Sequence, residues 1–444
     1  MNPLPDGSRI RVRGVLDERF RAALRRLVEG PEFTREFILS DVAGSYWRVF
    51  TEYAGDISGR FIGAVSLGRT CTGESLPLVD EIAREVAAVQ REDGHFNLEH
   101  PPDRIYYPLA YGHGRLLLGL VEYCSLTPDP AVLRAVQRLA DWYVAIAPHW
   151  RAPEVVSNCE FIYYTQGLEG LVGAYRLTGD ARHLRACEEM ADLLWEEPRH
   201  HSHSYLSSLL GILALHEATG DPRRLDFVEA RHRDLCGMVT VDGGVTEMLP
   251  DKHVTEFCSD ADWFMLNLRL WRATGKPDYL ERAERSLFNA MFFNQFASGG
   301  FGTWRVNKQH GYPGRVEVGS AEAYWCCCFH GVRALYEALV HICTCGSEGV
   351  SVNFYFPCQV VCPGLASAGL RLDTDYPESG RVRITVSVPE PRRFGLRLRV
   401  PAWAASPTIR VNGAQVPVEV RGGFAAVERE WHADDRVALG LAIG

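Results

Sequence analysis

From about residue 60 to about residue 345, apolar positions recur with the period of an α-helix. Leu184, Cys187, Met190, Ala191 and Leu194 fall on one helix face, and Leu206, Leu209, Leu210 and Leu213 on another. A repeated turn interrupts them. Gly173-Ala-Tyr-Arg-Leu-Thr-Gly-Asp-Ala-Arg-His-Leu184 has counterparts in Leu215–Leu225 and Leu270–Leu280, and a looser one in Val121–Leu133. The turns begin at Thr127, Thr178, Thr219 and Thr274. In each, an apolar helix end meets a Thr-Gly-Asp-type turn and a new helix begins. Glycine suits the left-handed position that closes a helix, and Asp or Pro suits the start of the next. A spacing of roughly 40–55 residues is one helical hairpin plus a variable loop. About six such hairpins with no strand between them predict a closed ring, an (α/α)6 barrel over residues 1–346, with functional residues on the connections at one mouth. Residues 1–60 are mixed, with a short amphipathic helix at Phe20–Leu27.

After about residue 347 the period changes to two. Val350–Phe356 is strand-like, Leu396-Arg-Leu-Arg-Val400 alternates apolar and basic residues, and Val411-Asn-Gly413 is a hairpin signal. Gly422–Trp431 continues the pattern. This predicts a β-sandwich-like domain over 347–444. No closing strand is evident in the final Leu439–Gly444, so the domain is expected to stop short.

Composition narrows the function. The chain has 444 residues, 46% hydrophobic and 23% charged, enough for a large core. A net charge of −9 argues against a nucleic-acid partner. No run of 18 apolar residues suggests a membrane span, and the N-terminus has no signal-peptide pattern. Thirteen cysteines without a framework predict free thiols and a cytoplasmic location. The 10 Trp and 17 Tyr suit sugar-stacking clefts and large cores alike.

Three consecutive cysteines, Cys326, Cys327 and Cys328, stand out in Ala323-Tyr-Trp-Cys-Cys-Cys-Phe-His330. Adjacent side chains cannot share one helix face, so core packing explains them poorly. A thiolate pair needs further ligands to complete a tetrahedral Zn²⁺ shell. Glu256-Phe-Cys258 upstream can supply a carboxylate and a thiol, giving Glu256, Cys258, Cys327 and Cys328 as a Cys₃Glu site. Plain burial of the thiols, or a strained vicinal disulfide, are the competing readings.

The same residues, with Arg399-Val-Pro-Ala-Trp403, Val411-Asn-Gly413 and Arg429-Glu-Trp431, make the chain similar to the family-127 glycoside hydrolases, the β-L-arabinofuranosidase group. The similarity covers most of residues 60–444. It implies the same fold as above, a Zn²⁺ held by one Glu and three Cys, and retaining hydrolysis of a terminal pentofuranoside by a zinc-bound thiolate. By position the resemblance makes Cys327 the nucleophile and Cys328 a structural ligand, with Cys326 leaving a register shifted by one. The implied acid–base is Glu247, in Gly243-Gly-Val-Thr-Glu-Met-Leu249; its plain alternative is a solvated loop carboxylate. Asp242 and Asp251 are the other carboxylates of that loop.

Where the family uses histidines at helix starts to bind sugar hydroxyls, this chain has His201, then Gly112-His-Gly-Arg115, then Tyr163-Tyr-Thr-Gln166. His201, His113, Tyr164, Gln166 and His330 are therefore the substrate-binding candidates. A small glycoside or oligosaccharide is the expected partner, with a homodimer as the candidate assembly. Two other readings stay open. One is a different zinc enzyme on an α/α toroid, similar to the lanthionine cyclases, which Trp325-Cys326 and Cys328-Phe-His330-Gly331 faintly resemble. The other is a non-catalytic, zinc-stabilised carbohydrate-binding protein.

Overall fold

The computed structural model describes residues 2–3, 9–43, 50–97, 104–249, 254–305 and 321–442. Among these, six inner helical segments stand side by side: Asp56–Thr72, Tyr107–Leu126, Cys159–Thr178, Ser202–Thr219, Phe257–Thr274 and Cys327–Val340. Each packs on the next, and the last packs on the first, which closes the ring. Val15–Glu29, Pro77–Ala88, Pro130–Trp150, Ala181–Leu193, Pro222–Leu235 and Pro277–Met291 form the outer layer, each against an inner partner. The fold is the expected (α/α)6 barrel.

Local chemistry explains the layers. The outer helices are one-sided: Ala181–Leu193 buries His183, Ala186, Cys187, Met190 and Ala191 and leaves its other face polar. The inner helices are buried nearly all round, as Ser202–Leu215 shows. Close packing of the first two inner helices requires glycine: a Cβ on Gly119 would lie 1.9 Å from Gly59 O. The repeated turns end as anticipated. Gly179, Gly220 and Gly275 close their helices at φ 72°, 72° and 70°. Asp180 and Asp221 accept hydrogen bonds from the backbone two residues on, at 2.9 and 3.0 Å.

The C-terminal region forms two antiparallel-rich sheets. One runs in the order Asn2–Pro3, Arg9–Val12, Cys358–Cys362, Ala368–Thr374, Arg381–Ser387, Arg436–Gly440, Thr408–Val411, Ala414–Val416. The other runs Val420–Arg421, Phe424–Trp431, Arg392–Arg399, Gly349–Val352, Cys343–Gly346. Two details differ from the sequence expectation. Arg9–Val12 belongs to the β-module, pairing with Cys358–Cys362, so the chain starts there before entering the barrel. Arg436–Gly440 lies between Arg381–Ser387 and Thr408–Val411, so the last described strand is interior to its sheet.

Cys345 and Cys362 form a disulfide with Cα atoms 5.8 Å apart, which corrects the expectation that every thiol is free. Arg399, 1% exposed, pins the module to the barrel: it donates to Glu284 Oε1 at 2.5 Å and Oε2 at 3.0 Å and pairs with Glu281 at 3.0 Å. No helix among the described residues is long and apolar enough to cross a membrane.

Candidate active site

Inner helices alternate with returning outer ones, so all six run parallel and open their N-terminal turns on one mouth. Helix N-termini carry partial positive charge and unpaired N–H groups, which favours thiolates and carboxylates there. Glu256 ends the short strand Val254–Glu256 and caps the fifth inner helix; Cys258 is in its first turn. Cys326 caps the sixth, and Cys327 is its first residue.

These four residues converge. Cys258 Sγ is 3.6 Å from Cys327 Sγ, and Cys326 Sγ is 3.6 Å from Cys327 Sγ. Glu256 Oε1 lies 3.6 Å from Cys326 Sγ and 3.9 Å from Cys327 Sγ. All four ligand atoms fall within 4.8 Å of one another. A tetrahedron with Zn–S bonds of about 2.3 Å has S–S edges of about 3.8 Å. The donor set and its edge lengths therefore fit a Zn²⁺.

The register differs from the expected one. Cys328 Sγ points the other way, 3.4 Å from Glu322 Oε1 and 3.6 Å from Phe301 O. The thiol pair of the cluster is Cys326–Cys327. Successive residues on a helix start lie about 100° apart, so three adjacent cysteines cannot all face one point. Cys326 is half-buried, whereas Cys327 and Cys258 are buried completely.

The electrostatics favour a charged cluster. Burial opposes ionisation of Glu256, but His201, then His203 and Arg60, outweigh it and hold the carboxylate at about 2. Hydrogen bonds from Cys258 and Cys327, aided by Arg60, draw the Cys326 thiol below its ordinary value. Burial pushes Cys258 and Cys327 up. Cys326 is thus the thiol of the three that carries charge most readily.

His201 sits at the mouth, Nε2 at 2.7 Å from Glu256 Oε2 and Nδ1 at 3.1 Å from Ser204 Oγ. Glu247 joins them: ligand atoms of His201, Glu247 and Glu256 lie within 4.8 Å of one another. Its backbone is tied on both sides, accepting from Ser202 N at 2.9 Å and donating to Val254 O at 2.8 Å. The loop carrying Glu247 is therefore stitched to the starts of two inner helices. Asp242 is held by Thr240 Oγ1, and Asp251 lies outside the described residues.

The remaining candidates separate. His330 is buried, Nε2 at 2.6 Å from Asp262 Oδ1, and Asp262 Oδ2 takes His203 Nδ1 at 2.5 Å. Arg60 ties into this buried His–Asp–His layer, with Nη2 3.1 Å from His203 Nε2, and its charge acts on the thiols Cys258 and Cys326. Gln166 spends its amide on Ile162 O and Ser204 O, at 3.0 and 2.8 Å, and its carbonyl accepts from Arg115. It braces the barrel wall.

His113 and Tyr164 correct the expectation of sugar contact. His113, 0% exposed, uses Nδ1 on Ala54 O at 2.9 Å and Nε2 on Phe96 N at 3.0 Å. Tyr164 stacks on Trp150 at 4.7 Å inside the core. Its neighbour Tyr163 is the one that faces other mouth residues, edge-on to Tyr53, Tyr111 and His200.

Arg60, Tyr111 and Asp262 were missed from sequence. One signal was available: Asp56 and Arg60 stand four apart at the start of a helix whose next turns, Phe61–Leu67, are mostly apolar, and Arg60 Nε meets Asp56 Oδ1 at 2.6 Å.

A barrel of six helical hairpins with a β-module, bearing a buried carboxylate–trithiol cluster at its mouth, defines an α/α-toroid protein with a metal-competent site. Residues 349–443 match the family model described as "Beta-L-arabinofuranosidase, GH127 middle domain". A GH127 beta-L-arabinofuranosidase from Geobacillus stearothermophilus T6 superposes with a TM-score of 0.77 at 17% identity, covering 98% of this chain and 82% of that one. A second GH127 beta-arabinofuranosidase gives 0.79 at 16% identity, covering 99% and 80%. An unsaturated glucuronyl hydrolase specific for heparin shares the toroid more distantly, at a TM-score of 0.51, 11% identity, and coverage of 74% and 97%. No curated protein matches the chain in sequence. Over residues 349–443 the chain thus matches the GH127 middle domain, and over nearly its whole length it shares the fold of the solved GH127 structures.

Proposed function

We propose that this protein is a retaining glycoside hydrolase that removes a terminal pentofuranose, of the β-L-arabinofuranoside kind, with Cys326 as nucleophile and Glu247 as acid–base. The observation that carries this is the placement of a half-buried thiol, Cys326, in one cluster with Glu256, while Glu247 lies beside Glu256. The register departs by one from the expected Cys327, because Cys327 is fully buried on the Cys258 side.

Glu256, Cys258, Cys326 and Cys327 would hold Zn²⁺, which, when bound, keeps a thiolate deprotonated at neutral pH. Cys326 Sγ attacks the anomeric carbon and the C–O bond to the leaving group breaks. Protonated Glu247 gives its proton to the departing oxygen. The product of this step is a thioglycosyl enzyme of inverted configuration. Glu247, now a carboxylate, takes a proton from water as the water oxygen attacks the same carbon and the C–S bond breaks. Two inversions give net retention. His201 orients Glu256 and leaves the mouth side of the cluster polar; Tyr53, Tyr111 and Tyr163 offer ring edges for the sugar.

The likeness to beta-L-arabinofuranosidases supports this choice of sugar. We take residues 1–346 as the catalytic domain and 347–444 as its β-module, with Arg9–Val12 added to the latter. A sugar-shaped cyclophellitol or haloacetamide probe, followed by peptide mass mapping, tests the assignment. Label on Cys326 is the expected result. Label on Cys327, or on no cysteine of the cluster, overturns it.

A further inference from the structure

A second cleft lies away from the thiol cluster, between the outer helix Pro277–Arg285 with its continuation Ser286–Met291 and the β-module. Its volume is about 900 Å³. We propose that this groove binds a carbohydrate chain of several sugar units, separately from the catalytic mouth.

Three features carry the inference. The first is an aromatic platform. Trp403 is 45% exposed, an unusual position for so large a ring, and it lies parallel to Tyr376 at 6.4 Å and 14°. Both are held rigidly. Tyr376 OH bonds Glu284 Oε1 at 3.0 Å, Ala402 N bonds Glu281 Oε1 at 3.2 Å, and Ala404 N bonds Pro401 O at 2.9 Å. A flat ring fixed in advance suits the apolar C–H face of a pyranose or furanose at low entropic cost.

The second is a set of polar side chains without hydrogen-bond partners among the described residues. Glu281 and Glu284 are committed to Arg399. Asp278, Arg282 and Asn289 line the same groove, and among the described residues none of their side chains makes an ion pair or hydrogen bond. Asp278 and Arg282 stand four apart on one helix, the spacing at which such residues normally pair. Both line the groove without forming that pair. A carboxylate, a guanidinium and an amide beside an aromatic plate is the mixture of donors and acceptors that sugar hydroxyls need.

The third is extent. Asp278 to Asn289 spans about 16 Å of helix at 1.5 Å per residue, long for one monosaccharide and suited to a chain. Arg282, exposed and cationic, lies between the two ends. Val239 and Gly243 form part of the wall, on the loop that leads to Glu247. An occupied groove would thus hold the substrate's polymer next to the loop carrying the acid–base.

The test uses the intact protein with short linear arabino- and xylo-oligosaccharides as probes, read by hydrogen–deuterium exchange. At saturating probe, at least one sugar is expected to protect residues 277–291 and 401–404. Trp403→Ala is expected to weaken that binding about tenfold, the equivalent of one lost stacking contact, and Arg282→Ala to weaken it less. Both side chains are exposed, so both variants should fold, checked by circular dichroism. Absence of protection there with both probes overturns the proposal, as does unchanged affinity in Trp403→Ala. A fall in solution mass of Trp403→Ala by light scattering would make the groove a contact between copies of this chain and would also overturn it.

Discussion

Cys326 Sγ and Glu256 Oε1, 70 residues apart in sequence, stand 3.6 Å from each other, while Cys328, two residues further along the helix, faces Glu322. That contact places Cys326, and not Cys328, in the cluster with Glu256.

A division of labour between neighbouring thiols follows. Cys326→Ser should lower turnover by about 10³-fold or more, since a serine hydroxyl is a poor replacement for a thiolate. Cys328→Ser should leave turnover within a few fold, because that sulfur lies outside the cluster. Equal losses in the two variants, measured as kcat/KM on an aryl glycoside, would remove Cys326 from its role.

Metal content reads the cluster independently. Purified protein should carry about one Zn²⁺ per chain, and Glu256→Ala and Cys258→Ala should each strip it. Elemental analysis after dialysis checks this. Full zinc retention in both variants would mean the four groups do not form the binding site.

Glu247→Gln should separate the two chemical steps. With an activated nitrophenyl leaving group, no proton is needed, so glycosylation should survive and the thioglycosyl enzyme should accumulate. External azide needs no general base and should restore turnover. If azide rescues Asp251→Asn and not Glu247→Gln, the acid–base role moves to Asp251.

Stability should depend on pH through a buried charge network on the barrel axis. Burial holds Glu122 up at about 7, against an ordinary 4.5, despite Arg333 at 2.8 Å. Below 4.5 both folded and unfolded chains bind this proton. Between 4.5 and 7 only the folded state keeps it, and above 7 both lose it. A group of raised carboxyl pKa therefore lowers stability as pH rises across that window. Glu169 acts oppositely. Arg333 and Arg269 overcome its burial and hold it at about 2, so its contribution is present above 4.5 and lost as pH falls toward 2. Glu122→Gln should flatten the decline between pH 4.5 and 7 in chemical denaturation; an unchanged slope would show that Glu122 does not titrate there.

His113→Ala should cost about 2–4 kcal/mol, since it leaves a cavity and an unpaired Phe96 N–H inside the barrel. The loss should appear in urea unfolding, with KM unaltered in whatever protein remains folded. A raised KM at unchanged stability would return His113 to the list of sugar ligands.

Much of this protein was legible in its residues taken alone. The Thr-Gly-Asp turns at Thr178, Thr219 and Thr274 specify their own ends, because a left-handed glycine and an Asp cap act over four residues and need no distant partner. Helical period gave the hairpins, and period two gave the β-module. The nearness of Glu256-x-Cys258 to the vicinal thiols was legible as chemistry, since few other arrangements use so many soft ligands. Tertiary structure alone decided the rest. Which two of three consecutive cysteines meet Cys258 depends on where the last helix starts and how it is rotated in the ring, and a one-residue shift turns a side chain by about 100°. In the third inner segment, likewise, two adjacent side chains diverge: Tyr164 packs on Trp150 and Tyr163 on Tyr111. Arg9–Val12 joins the β-sheet through Cys358–Val361, and no local rule reports a pairing across more than three hundred residues, because its hydrogen bonds depend on a partner strand that local sequence does not specify.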